Sequence, residues 1–233
     1  MSTKKILMSS PEYFKVEYSI NPWMIEGTEV DLELATRQWN NLKTTIELSG
    51  AEVLLVPAHP DQPDLVFTAN SGIIKDDKVL IANFKFNERV GEEALFENWF
   101  KDNGYQVGRI PKEFKFEGRG DAFVYGDKLI GSYGIRSDKE ALIYIAEQFE
   151  LEPIIVELAQ DKFYHLDTCF QHFSSGDAIF YPEAFKDSSL SAFNQIFNLI
   201  PVSENDANSI VKLLELLEDS EDVQKIYSNF EVE

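Results

Sequence analysis

The chain has a single cysteine, Cys169, among its 233 residues. One cysteine excludes an internal disulfide and any zinc site built from cysteines. Basic residues are also scarce, with 21 Lys and Arg against 41 Asp and Glu, for a formal charge of −20. A field of that sign repels phosphate backbones and anionic membranes, so neither nucleic acid nor a membrane is expected as a partner. It suits a solvated surface or a cationic small ligand. No apolar run approaches the roughly 18 residues that a membrane helix needs, and "MSTKKILMSS" lacks the apolar core of a signal peptide. On these grounds the sequence reads as cytoplasmic. No G-x-G-x-x-G or P-loop stands in the required strand-to-helix context.

The composition is that of a folded domain, with 44% hydrophobic and 27% charged residues and 18 Phe for an aromatic core. A repeat organises it. "GAEVLLVP" (50–57), "GYQVGRIP" (104–111), "LEPIIVEL" (151–158) and "LIPVSE" (199–204) are short β-rich runs, recurring about every 50 residues. Each follows an amphipathic stretch, over 29–48, 91–103, 137–149 and 188–197. Gly50 and Gly104 are C-cap candidates, and "SDKE" (137–140) reads as a capping box. Before each helix lies another strand: "KILMSS", "KVLIANF", "KLIGSYG" and "AIFYPE". The last three are entered through hairpin turns, "KDDK", "YGDK" and "SSGD", from the lead strands "DLVFTANSGII", "FEGRGDAFVY" and "HLDTCFQHF". Four strand–helix–strand links are therefore visible, with three lead strands.

Polar residues recur at one place in the unit: Asn70, then Glu117 and Asp121, then His165 and Asp167. Arrangement of the units around a pseudo-symmetry axis would bring them together. The glycines of "FEGRGDA" permit close backbone approach to something, or make a turn with solvated acids. His165 and Asp167, two apart on an expected strand, share a face; they are an acid/base histidine with a carboxylate for a cationic substrate, or a structural pair. Arg136 and Arg89, near expected strand ends, could hold a substrate carboxylate or make surface ion pairs. His59 reads as a loop residue, and His172 faces away from His165.

"ILMSSPEYFKVEYSINPWM", "DLVFTANSG", "ERVGEE", "FEGRGDA", "YGIRSDKEA" and "HLDTCF" resemble the amidinotransferase superfamily, or penteins. The likeness is closest to its dimethylarginine dimethylaminohydrolase-like and arginine dihydrolase-like branch, over about residues 4–206. The resemblance implies an α/β fold, here an incomplete five-bladed α/β propeller of about four ββαβ-type modules. It implies attack by a cysteine thiolate on a guanidinium carbon, with neither metal nor organic cofactor. It implies His165 as general acid/base and Glu117 as the acid that orients it. Asp167 would bind the guanidinium and Arg136, with Arg89, the substrate carboxylate; Asp121 joins the pocket. Asn70 and Asn21 are similar to the arginine dihydrolase branch, which shifts the expected substrate toward arginine.

The family's cysteine lies near its C-terminus, where this sequence has none. Cys169, four residues along a regular strand from His165, would lie roughly 13 Å away, beyond the roughly 3 Å reach of a general base. Residues 207–233 resemble the end of the YebC-type regulator family, as an atypical helix–strand tail behind a 1–206 domain. The expectation is a truncated gene joined to a foreign tail. The protein would bind arginine or a related guanidino compound with impaired catalysis; the alternatives are an active C–N hydrolase and an interaction protein using the open sheet edge. The edge or tail would also serve homo-oligomer formation.

Overall fold

The computed structural model describes residues 4–203 and Asp206. The expected tail at 207–233 lies outside the described residues. The element order is β1 (Lys5–Met8), α1 (Leu32–Leu48), β2 (Glu52–Leu55), β3 (Gly72–Lys75), β4 (Lys78–Ile81), α2 (Asn87–Asp102), β5 (Gln106–Arg109), β6 (Ala122–Tyr125), β7 (Lys128–Tyr133), α3 (Lys139–Phe149), β8 (Glu152–Glu157), β9 (Phe170–His172), β10 (Asp177–Phe180), α4 (Asp187–Phe193) and β11 (Asn198–Pro201). Four small sheets result. Three have a lead strand antiparallel to a middle strand, and a third strand parallel to it across a helix: β3–β4–β5, β6–β7–β8 and β9–β10–β11. The first sheet has only β1 and β2, parallel across α1. This is the four-module α/β arrangement that the repeat announced, with its three lead strands.

The modules hold together through apolar clusters that lie between neighbours. One gathers Val56 with Val79, Phe96 and Phe100, a second Leu80 with Phe116, Leu129 and Leu142, and a third Phe123 with Val156, Phe170 and Phe180. Each fully buried side chain of this kind is worth about 1.5–3 kcal/mol. Backbone bridges add to the packing, with Asn83 and Phe116 exchanging N–H···O bonds of 2.9 and 3.0 Å.

Two local expectations change. Asp138 precedes α3 without capping it; its carboxylate accepts from the Lys115 N–H at 2.7 Å. The lead strands are shorter than the alternating pattern implied. Each is preceded by a 3-10 turn, at Thr68–Ser71, Gly118–Gly120 and Leu166–Thr168. His165 and Asp167 thus flank and enter a turn; they do not share a strand face. No helix among the described residues is long and apolar enough to cross a membrane.

Candidate active site

The three 3-10 turns pack against one another and carry the repeated polar residues to one place. Gly118 shows why a glycine is required there. Its φ is +71°, and a Cβ would stand 2.6 Å from the Ala69 carbonyl oxygen. At Gly120 a Cβ would come within 2.9 Å of Asn70 Nδ2 and 3.2 Å of the His165 ring. The close approach that the glycines permit is thus to Asn70 and His165.

His165 is buried, with Nδ1 2.9 Å from Asp121 Oδ1 and Nε2 3.5 Å from Glu117 Oε2. Burial disfavours the charged ring, but Asp121, Glu117 and Asp167 together outweigh it and raise its pKa. Ser137 Oγ donates to Asp121 Oδ2 at 2.5 Å and accepts from the Glu117 N–H at 3.0 Å, tying the two acids together. Glu117 is fully buried; its Oε1 accepts from the Lys85 N–H and its Oε2 from Arg136 Nη1 at 2.5 Å. The Arg136 guanidinium is sandwiched between Phe86 and Tyr164, 4.7 and 4.8 Å from their ring centres, and donates to the Ile20 carbonyl.

A cavity of about 460 Å³ opens onto this constellation. Asn70, Arg89, Arg136, His165 and Asp167 line it, with Asn21 at the rim, where its Oδ1 accepts from the Trp23 N–H at 2.9 Å. Val16, Ile20, Trp23 and Met24 supply an apolar wall. The Asp167 residue is exposed, yet desolvation of its carboxyl by burial, with the Asp121 charge adding to it, pushes its pKa up to about 6.

Sequence reasoning placed Arg89 near a strand end. It lies in the first turn of α2, which begins earlier than the apolar spacing indicated, and makes four hydrogen bonds, to Glu92, Asn70 and the Asp64 carbonyl. Glu92, Asp64 and Ser137 were missed. Asp64 is buried in the pocket wall, its Oδ1 without a hydrogen-bond partner among the described residues, and burial raises its pKa. The signals were weak: an Asp inside "QPDL", a Glu in an acidic helix, and a Ser beside Arg136.

Cys169 is not 13 Å from His165. The 3-10 turn folds its Sγ back to 3.7 Å from the His165 carbonyl oxygen and 3.6 Å from that of Leu166. The contact is with backbone, not with the imidazole. Burial pushes the thiol up to about 12, so it is a core group. His172 stacks on Phe123 at 4.5 Å, and His59 belongs to a turn closed on Gln62. Among the described residues no group of three or more His, Cys, Asp or Glu is placed to hold a metal ion.

Known proteins resemble this chain in sequence and fold. The family described as N,N dimethylarginine dimethylhydrolase, eukaryotic, matches residues 14–229. The bifunctional arginine dihydrolase/ornithine cyclodeaminase ArgZ of Synechocystis is 41% identical over 185 residues, 78% of this chain but 26% of ArgZ. The N(G),N(G)-dimethylarginine dimethylaminohydrolase of Mycobacterium tuberculosis is 34% identical over 206 residues, 88% of this chain and 68% of that enzyme. The crystal structure of the ArgZ N-terminal domain bound to substrate, in a cysteine-to-serine variant, superposes with a TM-score of 0.81 at 38% identity, covering 87% of this chain and 76% of that one. The chain belongs to the dimethylarginine dimethylhydrolase family, within the pentein branch that also holds the arginine dihydrolases.

Proposed function

We propose that the pocket binds arginine and serves hydrolysis of a guanidino C–N bond. The observation that carries this reading is the buried imidazole with a carboxylate at each ring nitrogen, opening onto a cavity lined by Asp64, Asp167 and two arginines, Arg89 and Arg136. A guanidinium is a planar cation, and Asp167 and Asp64, which line the cavity, offer it carboxylates. Arg136 is the residue for the α-carboxylate, and Asn21 lines the same side of the cavity. Hydrolysis breaks one C–N bond. Water supplies oxygen to the carbon, and the departing nitrogen needs a proton to leave as ammonia. His165 carries that proton, taking one from water and giving one to the leaving group. Asp121 and Ser137 hold the ring so that Nε2 faces the cavity.

Arginine is preferred to its methylated forms because of Asn70. In ArgZ, an asparagine-to-serine variant of the N-terminal domain was captured covalently bound to a reaction intermediate. Here Asn70 Nδ2 lies 3.4 Å from His165 Nε2. The activities of the relatives favour a hydrolase over a binder with impaired catalysis. Cys169 is excluded as the attacking group, since its thiol contacts backbone carbonyls and its pKa is pushed up to about 12. That displacement is the one observation favouring the second reading, a pocket that binds arginine without turning it over.

The deciding assay follows ammonia release from arginine together with citrulline, the product of one such step, and ornithine, the product once a second C–N bond is hydrolysed and carbon dioxide is lost, with dimethylarginine in parallel and calorimetry for binding. Turnover that disappears in His165→Ala supports the hydrolase. Binding heat without turnover leaves the second reading, and no heat with either compound overturns both. Turnover lost in a folded Cys169→Ala protein would overturn the position assigned to the thiol.

A further inference from the structure

Glu92 is fully buried in α2, and its two carboxylate oxygens accept from Arg89 Nε and Nη2 at 2.7 and 2.8 Å. Arg89, over the Phe84 ring at 4.5 Å, gives Nη1 to Asn70 Oδ1 at 3.0 Å. On its other side Asn70 gives Nδ2 to the Glu117 carbonyl oxygen at 2.8 Å. These two contacts decide which way the amide points. Turned over, it would set oxygen against the Glu117 carbonyl and NH₂ against a guanidinium. Its nitrogen therefore faces Nε2 of His165, 3.4 Å away.

A primary amide nitrogen donates and does not accept. Beside Nε2 it favours a lone pair and opposes an N–H. We propose that Glu92, acting through Arg89 and Asn70, is a positioning residue that keeps Nε2 of His165 a proton acceptor. The other charged groups facing the ring pull the opposite way. Asp121 lies at Nδ1, Glu117 Oε2 is 3.5 Å from Nε2, and Asp167 stands in the turn that follows; all three stabilise imidazolium. Arg136 reaches the ring only through Glu117, and Tyr164 packs beside it at 4.8 Å between ring centres. The fixed amide is the counterweight. Without it the acids would hold the proton on Nε2, and the ring could not receive one from water. This role rests on the reading of His165 as the proton carrier.

The test is an NMR titration of the His165 imidazole in the full chain, which needs no turnover. Its outcome is therefore separate from that of the arginine assay. Glu92→Gln keeps the size and one acceptor but removes the charge that fixes Arg89. With Arg89 loosened, the amide is held by the Glu117 carbonyl alone and its Nδ2 is no longer pinned against Nε2, so the His165 pKa rises by about one unit, a tenfold change in proton affinity. A merely structural Glu92 would lower the melting temperature and leave the titration in place. If Glu92→Gln does not fold, Asn70→Leu removes the amide at similar size. Its added apolar surface by itself disfavours charge on the ring, so a rise there speaks for the lost donor. A His165 pKa that does not rise in whichever of these variants folds would overturn the proposal.

Discussion

The helices of the first and third modules both carry apolar residues at helical spacing, yet they are buried to opposite extents. In α3, Ala141, Leu142, Ile145, Ala146 and Phe149 are all buried. In α1 no residue is buried; Leu42 is 54% and Leu48 83% exposed. The third module has a lead strand, and Gly131 lets Leu142 sit on its sheet, where a Cβ would stand 2.9 Å from Leu142 Cδ2. The first has two strands, and α1 lies on them without small residues to let it approach. An apolar stripe thus reports that a helix has a face to bury; the neighbouring strands decide how far it is buried.

Substitutions can break that contrast. Ile145→Ala in α3 is expected to cost about 2–5 kcal/mol, as for other large-to-small changes in a full core, read by denaturant unfolding. Gly118→Ala follows at roughly 3 kcal/mol, because a positive-φ strain of about 1–2 kcal/mol adds to a Cβ 2.6 Å from the Ala69 carbonyl oxygen. Gly50→Ala, after α1, has a similar φ of +88° but nothing within 4 Å of the added carbon; it should cost only about 1 kcal/mol. Leu42→Ala should change stability by no more than about 0.5 kcal/mol. A Leu42→Ala cost equal to that of Ile145→Ala would remove the comparison.

The pH dependence of stability should carry a contribution from the pocket, where Asp167 and His165 both have raised pKa values. Asp167, pushed up to about 6, binds a proton more tightly in the native state than in the unfolded chain. Its contribution is complete below about pH 4 and is lost as pH rises through its folded value. His165 repeats that sign higher up, its contribution fading as pH climbs past about 6.5. Asp167→Asn should flatten the acid part of the unfolding curve, read by denaturant unfolding from about pH 4 to about 6.

The modular plan was legible because hairpin turns and the β-rich runs repeat at a fixed interval, and β-branched residues mark Val79, Ile130 and Ile179 as strand positions. Convergence of Asn70, Glu117, Asp121, His165 and Asp167 was legible from the same repeat, since each falls at one point of its unit, whereas Arg136 was read only as a basic residue near a strand end. The turn geometry was not. Alternation over "HLDTCF" looks like a strand, and only the backbone shows Leu166–Thr168 coiling so that Cys169 folds back onto its own chain. Arg89 was misplaced because α2 begins at Asn87, ahead of the apolar spacing that starts at Ala94, and Glu92 was missed as one more acid in that helix. Their pairing is a tertiary fact that no spacing encodes.

The pocket takes Asn70 from one module, Glu117, Asp121 and Arg136 around the next, and His165 from the one after it. No single strand or helix sets the separations that the chemistry needs; packing between modules does. Slippage of one blade against another by an ångström would pull the imidazole from its acids while every hydrogen-bonded ladder stayed intact. Warming should therefore silence the protein before circular dichroism records any melting.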